Sequence, residues 1–356
     1  MRLSLPASEN SHIMLEKTVE ISTKGKWATV PALEIDGNTI ITRGRWVRIA
    51  LVHDEEWIET DLERPESCIQ TFRDQASAGL RADIFTFSQK PFKPVPHYSY
   101  HTEWDSIATV RVTTFKAWWE ALPQETRKNV RRSQKRGVVV RVKELDDDLV
   151  REIVDVNNES PMRQGKPFYH YGKTAEQVQK DQSSFLDRSD FICAYRENEL
   201  IGFLKLVYKG DAAAILQILT KASHQDSRPT NALLAKAVEL CEVKGVSCLI
   251  YGQFNYGNKG DSPLREFKVR NGFGETLAPR FYVPLTAKGF WCLKLKLHRG
   301  LQGILPHRVL TLLVGCRAKW YDFKQLIRRC SSILERPNRN RQMERANPPA
   351  GSKFDA

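Results

Sequence analysis

The chain has 356 residues, of which 41% are apolar and 27% are charged, and its formal net charge is +13. This composition excludes a disordered or fibrous protein, and the length predicts two domains with extensions. The N-terminus lacks the apolar segment of a signal peptide, and no apolar run approaches the ~18 residues of a membrane helix. Seven cysteines form no CxxC motif, which argues against a zinc site. We therefore expect a cytoplasmic protein that binds no metal.

The positive charge is concentrated at the C-terminal end of the chain. Residues 286–356 contain 15 lysines and arginines but only four acidic residues, so the preceding residues carry a net charge of only +2. The basicity is therefore largely a property of the tail, and it gives no evidence that the body of the protein binds nucleic acid.

The N-terminal part is predicted to be strand-rich. Residues 1–24 have a mixed composition, so we expect them to be poorly ordered. Asp36-Gly37-Asn38 is a strong hairpin signal, and Pro65 suits the start of a helix. The pattern predicts strands at 27–33, 39–42, 45–52, 82–87 and 107–112 and a helix at 65–78.

A proline-rich segment at 90–104 is predicted to be a linker or surface loop, because its prolines exclude a helix or a central strand. A basic helix then connects to the rest of the chain over 113–137. Arg127, Arg131 and Lys135 share one face of this helix. This face either meets an anionic donor or acceptor, or lies in solvent or between two halves of the protein.

The region from 138 to 284 has the most regular pattern. Its elements follow in the order strand, two helices, three strands, helix, strand, helix and strand. The strand at 247–251 is almost entirely apolar, as expected for a strand covered on both faces. Strands are predicted at 138–143, 191–195, 200–208, 213–219, 247–251 and 280–284, and helices at 147–158, 175–187, 229–243 and from Pro263.

The last predicted helix carries a recognisable motif. Phe267-Lys268, three further residues and Gly272-Phe273-Gly274 resemble the Phe-Lys-x-x-Phe-Gly signature of the FemAB-like group of GNAT-fold acyltransferases, with one extra residue. The element order from 138 onward is similar to the GNAT order. Residues 65–89 and 229–253 share a pattern of proline, helix, glycine, strand and glutamine, a weak sign of duplication. An alternative is that these are two unrelated helix–strand units.

The resemblance implies an α/β (α+β) fold with tandem GNAT-like halves and a basic helical tail. Residues 1–112 then form a reduced first half. Residues 113–137 connect it to an acyltransferase domain at 138–286, which is followed by a basic amphipathic extension at 287–336 and a disordered tail at 337–356.

The resemblance also implies catalytic roles. Acyl transfer requires that the donor carbonyl is held, the oxyanion is stabilised and the nucleophile is deprotonated. Lys268 matches the family lysine that is directed at the developing oxyanion; the alternative is a lysine at the helix surface. Tyr256 is a candidate acid or a packing residue, and Asp261 is a candidate base or a salt-bridge partner. Phe267 is assigned to the donor site.

The loop before the second helix of the GNAT unit covers the acceptor in GNAT folds. We therefore predict that Arg163, Tyr169, His170 and Tyr171 bind a sugar or peptidoglycan-type acceptor. The alternative is a loop packed by its own aromatic residues.

The acyl donor is harder to assign. CoA-dependent GNAT enzymes carry R/Q-x-x-G-x-G/A before the helix that cradles the pyrophosphate. The equivalent segment, 221–231, has no glycine, although Gln225 and Arg228 supply some of the same chemistry. This departure agrees with aminoacyl-tRNA as donor, whereas the nearly neutral body does not. Acyl-CoA and aminoacyl-tRNA both remain open, and no tightly bound cofactor is expected.

The tail at 288–336 has apolar residues at helical spacing, interleaved with arginine and lysine. A basic amphipathic helix binds an anionic membrane surface or a partner, or packs on the body. We predict a cytoplasmic acyltransferase, peripheral at the inner face of the membrane, that modifies an amine or hydroxyl of an amino sugar or similar cell-surface polysaccharide precursor. The alternatives are an aminoacyl-tRNA-dependent peptidoglycan-bridge ligase and a non-catalytic GNAT-like binding subunit.

Overall fold

A computed structural model describes residues 14–23, 26–53, 61–74, 81–93, 95–163, 166–255 and 262–300. The chain divides into two compact units, residues 1–290 and 291–356. The first unit contains all of the described strands. The second unit is described only to residue 300, so the predicted amphipathic extension and the terminal tail lie largely outside the described residues.

Fourteen strands and eight helices make up the regular structure of the described residues. The strands are β1 (Met14–Thr23), β2 (Lys26–Ile35), β3 (Asn38–Arg43), β4 (Ile49–Val52), β5 (Ile84–Ser88), β6 (His101–Arg111), β7 (Val139–Lys143), β8 (Met162–Arg163), β9 (Lys166–Pro167), β10 (Ser189–Arg196), β11 (Glu199–Lys209), β12 (Ala212–Thr220), β13 (Cys248–Gln253) and β14 (Gly274–Pro284). The helices are α1 (Pro65–Asp74), α2 (Phe115–Ala121), α3 (Gln124–Lys135), α4 (Asp147–Asn158), α5 (Ala175–Gln182), α6 (Pro229–Val243), α7 (Pro263–Arg270) and α8 (Ala287–Lys294).

Twelve of the strands form one sheet in the order β1-β2-β3-β4-β5-β14-β6-β13-β12-β11-β10-β7, and β8 and β9 form a separate ribbon. Neighbours in the large sheet are antiparallel except for β4–β5 and β12–β13, which are parallel. A parallel pair requires a crossover connection, and α1 and α6 provide the two crossovers. The helix–strand pattern repeated in the sequence therefore corresponds to two equivalent βαβ units.

The two halves of the sheet exchange strands at its centre. β6 follows β5 in the chain but pairs with β13, whereas β14 follows β13 and pairs with β5. β6 and β14 also pair with each other, from Thr109–Gly274 to His101–Tyr282. From the β1 edge, the sheet passes through the five strands β1–β5 of the first half and then reaches β14, the last strand of the second half. From the β7 edge, it passes through five strands of the second half and then reaches β6, the last strand of the first half. The first half is the reduced one, since α1 is its only helix within the described residues.

The strands β10 and β11 of the second half are buried on both faces. Phe191, Cys193 and Tyr195 of β10 pack with α4, while Ile192 and Ala194 of the same strand pack with α6. This alternation explains why the strands of this region are nearly continuous apolar runs. The helices α4 and α6 have the bounds that the sequence predicts, because their apolar periodicity and their N-terminal residues are local signals.

Several predictions of structure were wrong. The connecting segment at 113–137 forms two helices, α2 and α3, instead of one, because Leu122, the residue before Pro123, has an extended backbone conformation. Residues 14–23 form a strand, because β2 supplies a partner along the whole length of β1. β6 begins at His101, inside the predicted loop, because β14 pairs with it there. α5 begins at the predicted cap Thr174, which forms a capping box, but it ends at Gln182 instead of residue 187. Phe185 interrupts it with a left-handed backbone conformation, at φ +57°.

Candidate functional site

The strands β12 and β13 separate towards their C-terminal ends. They pair only from Ala212–Cys248 to Ala214–Ile250. Beyond these pairs β12 continues along β11, where Leu216 forms a bulge, and β13 continues along β6. Ligands of open α/β sheets bind beyond the carboxyl ends of strands whose connections diverge, and bulges are frequent beside active sites. The gap between the two strands is therefore the candidate functional site.

A cavity of about 640 Å³ opens at this gap. Residues 214–217 of β12 and 250–252 of β13 form one wall, and residues 181–185 at the end of α5 form another. Tyr169 and His170 contribute from the loop before α5, and the first half of the protein contributes Trp27 among others. The volume suits a small-molecule ligand, and the mixture of aromatic and polar groups can orient one.

Asp181 is the most strongly bound carboxylate of this cavity. Trp27 Nε1 donates to its Oδ1 at 2.9 Å, and Lys173 Nζ and His170 Nδ1 approach Oδ2, the latter at 3.6 Å. Burial alone would raise the pKa of Asp181, but the hydrogen bonds from His170, Lys173 and Trp27 outweigh it and lower this pKa to about 2. Asp181 is thus a fixed negative charge that joins both halves of the protein.

The lowered pKa makes the stability of the protein depend on pH. A carboxyl group whose pKa is lower in the folded state stabilises that state above its ordinary pKa, and the stabilisation is lost as the pH falls towards the folded value. The shift from 3.8 to about 2 corresponds to about 2 kcal/mol. We expect the difference in free energy of unfolding between wild type and Asp181→Asn to shrink by about this amount between about pH 5 and pH 2. Urea unfolding across this range measures it, and a difference that is independent of pH would contradict the expectation.

Lys205 is a cavity residue that sequence reasoning missed. It lies on β11 opposite Gln217 and is 2% exposed. Its Nζ donates to the carbonyl oxygens of Gln182 and Ser184, each at 2.6 Å, so it holds the segment after α5 against the sheet. Burial lowers its pKa to about 8. A signal was present in the sequence, since Lys205 interrupts the otherwise apolar run at 200–207.

Lys268, the predicted catalytic lysine, is fully buried, so it is not a surface lysine. Its Nζ donates to the carbonyl oxygens of Tyr251 and Gln253, each at 2.6 Å, and lies 4.4 Å from the centre of the Tyr251 ring. Burial lowers the pKa of this amine to about 8. Tyr251 lines the cavity but Lys268 does not, so the lysine supports the end of β13 from behind the cavity wall. Its direct role in catalysis stays a prediction.

The glycine of the Phe-Lys motif has a structural role. Gly272 has φ +86° and follows α7, where the Phe273 amide donates to the Lys268 carbonyl oxygen at 3.0 Å. This is the pattern of a helix that ends with a left-handed glycine. Phe267, assigned to the donor site, is half-buried and packs against the core that contains α6.

The structure brings only part of the predicted acceptor site together. Tyr169 and His170 line the cavity, with their ring centres 4.1 Å apart. Arg163 instead donates to the carbonyl oxygen of Thr220 at 2.7 Å and stacks 4.9 Å over the Phe168 ring. Tyr171 is exposed and lies outside the cavity.

The predicted donor segment enters α6. Gln225 is exposed within a short 3-10 helix at 222–227, and Arg228 is the exposed N-cap residue of α6. Arg228 has φ +55° and ψ +40°, a left-handed conformation that a glycine adopts more readily. The turn before α6 therefore has a backbone conformation typical of glycine, although it contains no glycine. Tyr256 and Asp261 lie outside the described residues.

The described residues contain no group of three histidine, cysteine or acidic side chains that would hold a metal ion. In the same part of the chain, no helix has the length and apolar character required to cross a bilayer.

No protein-family model and no curated protein matches the chain. Among solved structures, FemX is similar over 75% of this chain and 88% of its own, with a TM-score of 0.51 and 8% sequence identity. The C-terminal domain of a putative lysylphosphatidylglycerol synthetase from Agrobacterium fabrum matches 73% of this chain and 85% of its own, with a TM-score of 0.48 and 15% identity. L-PGS from Bacillus licheniformis matches 69% of this chain and 81% of its own, with a TM-score of 0.48 and 15% identity.

The likeness to FemX concerns the fold. The chain therefore has a mixed α/β fold similar to that of FemX, with two halves joined in one sheet.

Proposed function

We propose that the protein is an acyltransferase that modifies an amine or hydroxyl of an amino sugar or a similar cell-surface polysaccharide precursor. The observation that carries this proposal is the cavity of about 640 Å³ at the diverging ends of β12 and β13. An acyl donor inserted between the strands would present its carbonyl to the polar groups of the cavity. An acceptor would enter from the side of Tyr169 and His170.

The walls of the cavity support a sugar-like acceptor. Trp27 and Tyr169 offer aromatic faces, and Gln217, Asp181 and Lys173 offer hydrogen-bonding groups. This combination suits a polar ring with several hydroxyl or amino groups. The combination supports a sugar as the acceptor, as the family resemblance implies, and it is compatible with more than one sugar.

Acyl-CoA is the first donor to test, because the turn before α6 keeps a left-handed conformation at Arg228 despite the missing glycines. Aminoacyl-tRNA is the second, because the resemblance to the FemAB-like group implies it and the fold likeness to FemX supports that resemblance. With aminoacyl-tRNA as the donor, the protein would be a ligase of the peptidoglycan-bridge type. A non-catalytic binding subunit would bind these ligands without turnover.

In this proposal the protein works in the cytoplasm, with residues 288–336 at the inner face of the membrane. Only residues 288–300 of this segment are described, and they include the end of α8. Binding to anionic liposomes, compared between the full chain and a chain that ends at residue 300, tests the membrane contact.

Narrowing the cavity is expected to abolish transfer. Leu216 lies at the bulge and lines the cavity, so Leu216→Trp places an indole in the space for substrate. We expect at least an order-of-magnitude loss of kcat/KM, measured as transfer of labelled acetyl from acetyl-CoA, or of labelled amino acid from charged tRNA, to amino sugars. Leu277→Trp is the matched control, because Leu277 is 51% exposed on β14. Equal activity of both variants would contradict the assignment of the site.

A further inference from the structure

His170 has different partners on its two ring nitrogens. Its Nδ1 lies 3.6 Å from Oδ2 of Asp181, and its Nε2 lies 3.4 Å from the side-chain nitrogen of Gln217. The imidazole side chain is largely buried in the cavity wall, with the Tyr169 ring beside it. Histidine is the side chain most often used to accept a proton near neutral pH, provided that one ring nitrogen offers its lone pair to the substrate.

The hydrogen-bond network determines which nitrogen offers that lone pair. The ionised Asp181 carboxylate only accepts hydrogen bonds, so the contact at 3.6 Å favours the tautomer that carries the proton on Nδ1 of His170. In a neutral imidazole Nε2 then holds the lone pair, and Gln217 must present its NH₂ group to it. This assignment leaves Oε1 of Gln217 to accept from Nε2 of Gln182, and these two atoms are 2.7 Å apart. With this assignment, each contact from Gln182 through Gln217 and His170 to Asp181 joins one donor to one acceptor.

The network is also held rigidly. Gln182 is 2% exposed, and its backbone carbonyl accepts from the buried amine of Lys205. At the other end, Trp27 and Lys173 fix the Asp181 carboxylate. The orientation of the imidazole is thus set by groups from β2, α5, β11 and β12 and from the loop before α5. This is the arrangement of a base held by an orienting partner.

Three other titratable groups of the cavity are less suited to accept a proton. The Asp181 carboxylate has a pKa of about 2 and is a weak base. The amine of Lys205 donates to two carbonyl oxygens, and Glu20 pairs with Lys180. His53 also lines the cavity, so it serves as a comparison in the experiment below.

We propose that His170 is the general base of the acyl transfer, and that Asp181 and Gln217 are the residues that position it; this inference rests on the proposed function. The acceptor nitrogen or oxygen attacks the acyl carbonyl carbon and forms the new bond, while its proton moves to Nε2 of His170. At 3.4 Å the Gln217 contact is long, so the acceptor replaces it.

Collapse of the tetrahedral intermediate then breaks the bond between the acyl carbon and the leaving atom. That atom is the sulfur of CoA, or the ribose oxygen of tRNA. The proton held on His170 passes to the leaving atom, which restores the neutral imidazole, so one proton has moved from acceptor to leaving group and no other reactant is consumed.

The kinetic test compares wild type with His170→Ala, His53→Ala and His97→Ala. His97 is exposed on the loop before β6 and outside the cavity, so its variant is the matched control. We expect His170→Ala to lower kcat by roughly 10²–10⁴-fold with a much smaller change in KM. Free imidazole is expected to restore part of this loss in a concentration-dependent way, which a purely structural role would not allow. A larger loss of kcat in His53→Ala than in His170→Ala would overturn the assignment of the base.

A second readout is independent of turnover. The ¹⁵N spectrum of the His170 ring in the wild-type protein is expected to show a protonated Nδ1 and an unprotonated Nε2, and Asp181→Asn is expected to remove this preference. Turnover that persists in His170→Ala, a loss that imidazole does not restore, or a proton on Nε2 would overturn the assignment of the base alone. If the wild-type protein transferred an acyl group from neither donor, both the proposed function and the assignment of the base would be overturned.

Discussion

Residues 113–300, produced without residues 1–112, are expected not to fold. The strands β13 and β14 explain why. β13 has β6 as its neighbour on one side, and β14 lies between β5 and β6, so the fragment loses one partner of β13 and both partners of β14. Phe281 and Val283 of β14 also belong to the core of the first half. An exposed, unpaired strand with apolar side chains promotes aggregation instead of folding.

The fragment is expected to show no cooperative urea transition, whereas co-expression with residues 1–112 restores one. Purification of the two fragments as a complex is the positive control. A 113–300 fragment that unfolds cooperatively by itself would contradict the structural role of the strand exchange. It would also support the second half as an independent domain, as its predicted boundaries imply.

Replacing Lys268 with methionine is expected to destabilise the protein by about 2–5 kcal/mol. Methionine keeps the length of the side chain but cannot donate to the carbonyl oxygens of Tyr251 and Gln253. A hydrogen bond from a charged donor contributes about 1.5–3 kcal/mol, and the variant loses two of them. Urea unfolding measures the change.

Lys116→Met is the control for this variant, because the Lys116 side chain is 83% exposed and its contact with Glu120 is long, at 4.0 Å. We expect the control to change the stability by less than about 0.5 kcal/mol. If Lys268→Met retained wild-type stability but lost turnover, the lysine would act on the substrate directly. A loss of stability means that the loss of turnover alone cannot identify Lys268 as catalytic.

The elements that the sequence predicted best are those with local signals. The bounds of α4 and α6 follow from apolar periodicity and from their first residues, and Thr174 caps α5 as expected. β1 depends instead on its pairing with β2, and the start of β6 depends on β14, which lies more than 160 residues away in the chain. Strand pairing over such distances leaves little trace in a local pattern.

The candidate site could be predicted only in part for the same reason. Tyr169 and His170 stood out as aromatic and imidazole groups in one loop, and the structure places both in the cavity wall. Asp181 and Trp27 are 154 residues apart and look like ordinary surface and strand residues in the sequence. Their hydrogen bond arises because β2 of the first half lies beside α5 of the second, which no spacing within either segment reveals.

Hydrogen exchange of the full chain, recorded with and without acetyl-CoA and then with charged tRNA, tests the central claim that the gap between β12 and β13 is the site of acyl transfer. We expect one of these donors to bind saturably and to slow exchange at the backbone amides of residues 214–217 and 250–252, which line the gap. If neither donor slows exchange in these two segments at concentrations that saturate related enzymes, the gap is not the donor site.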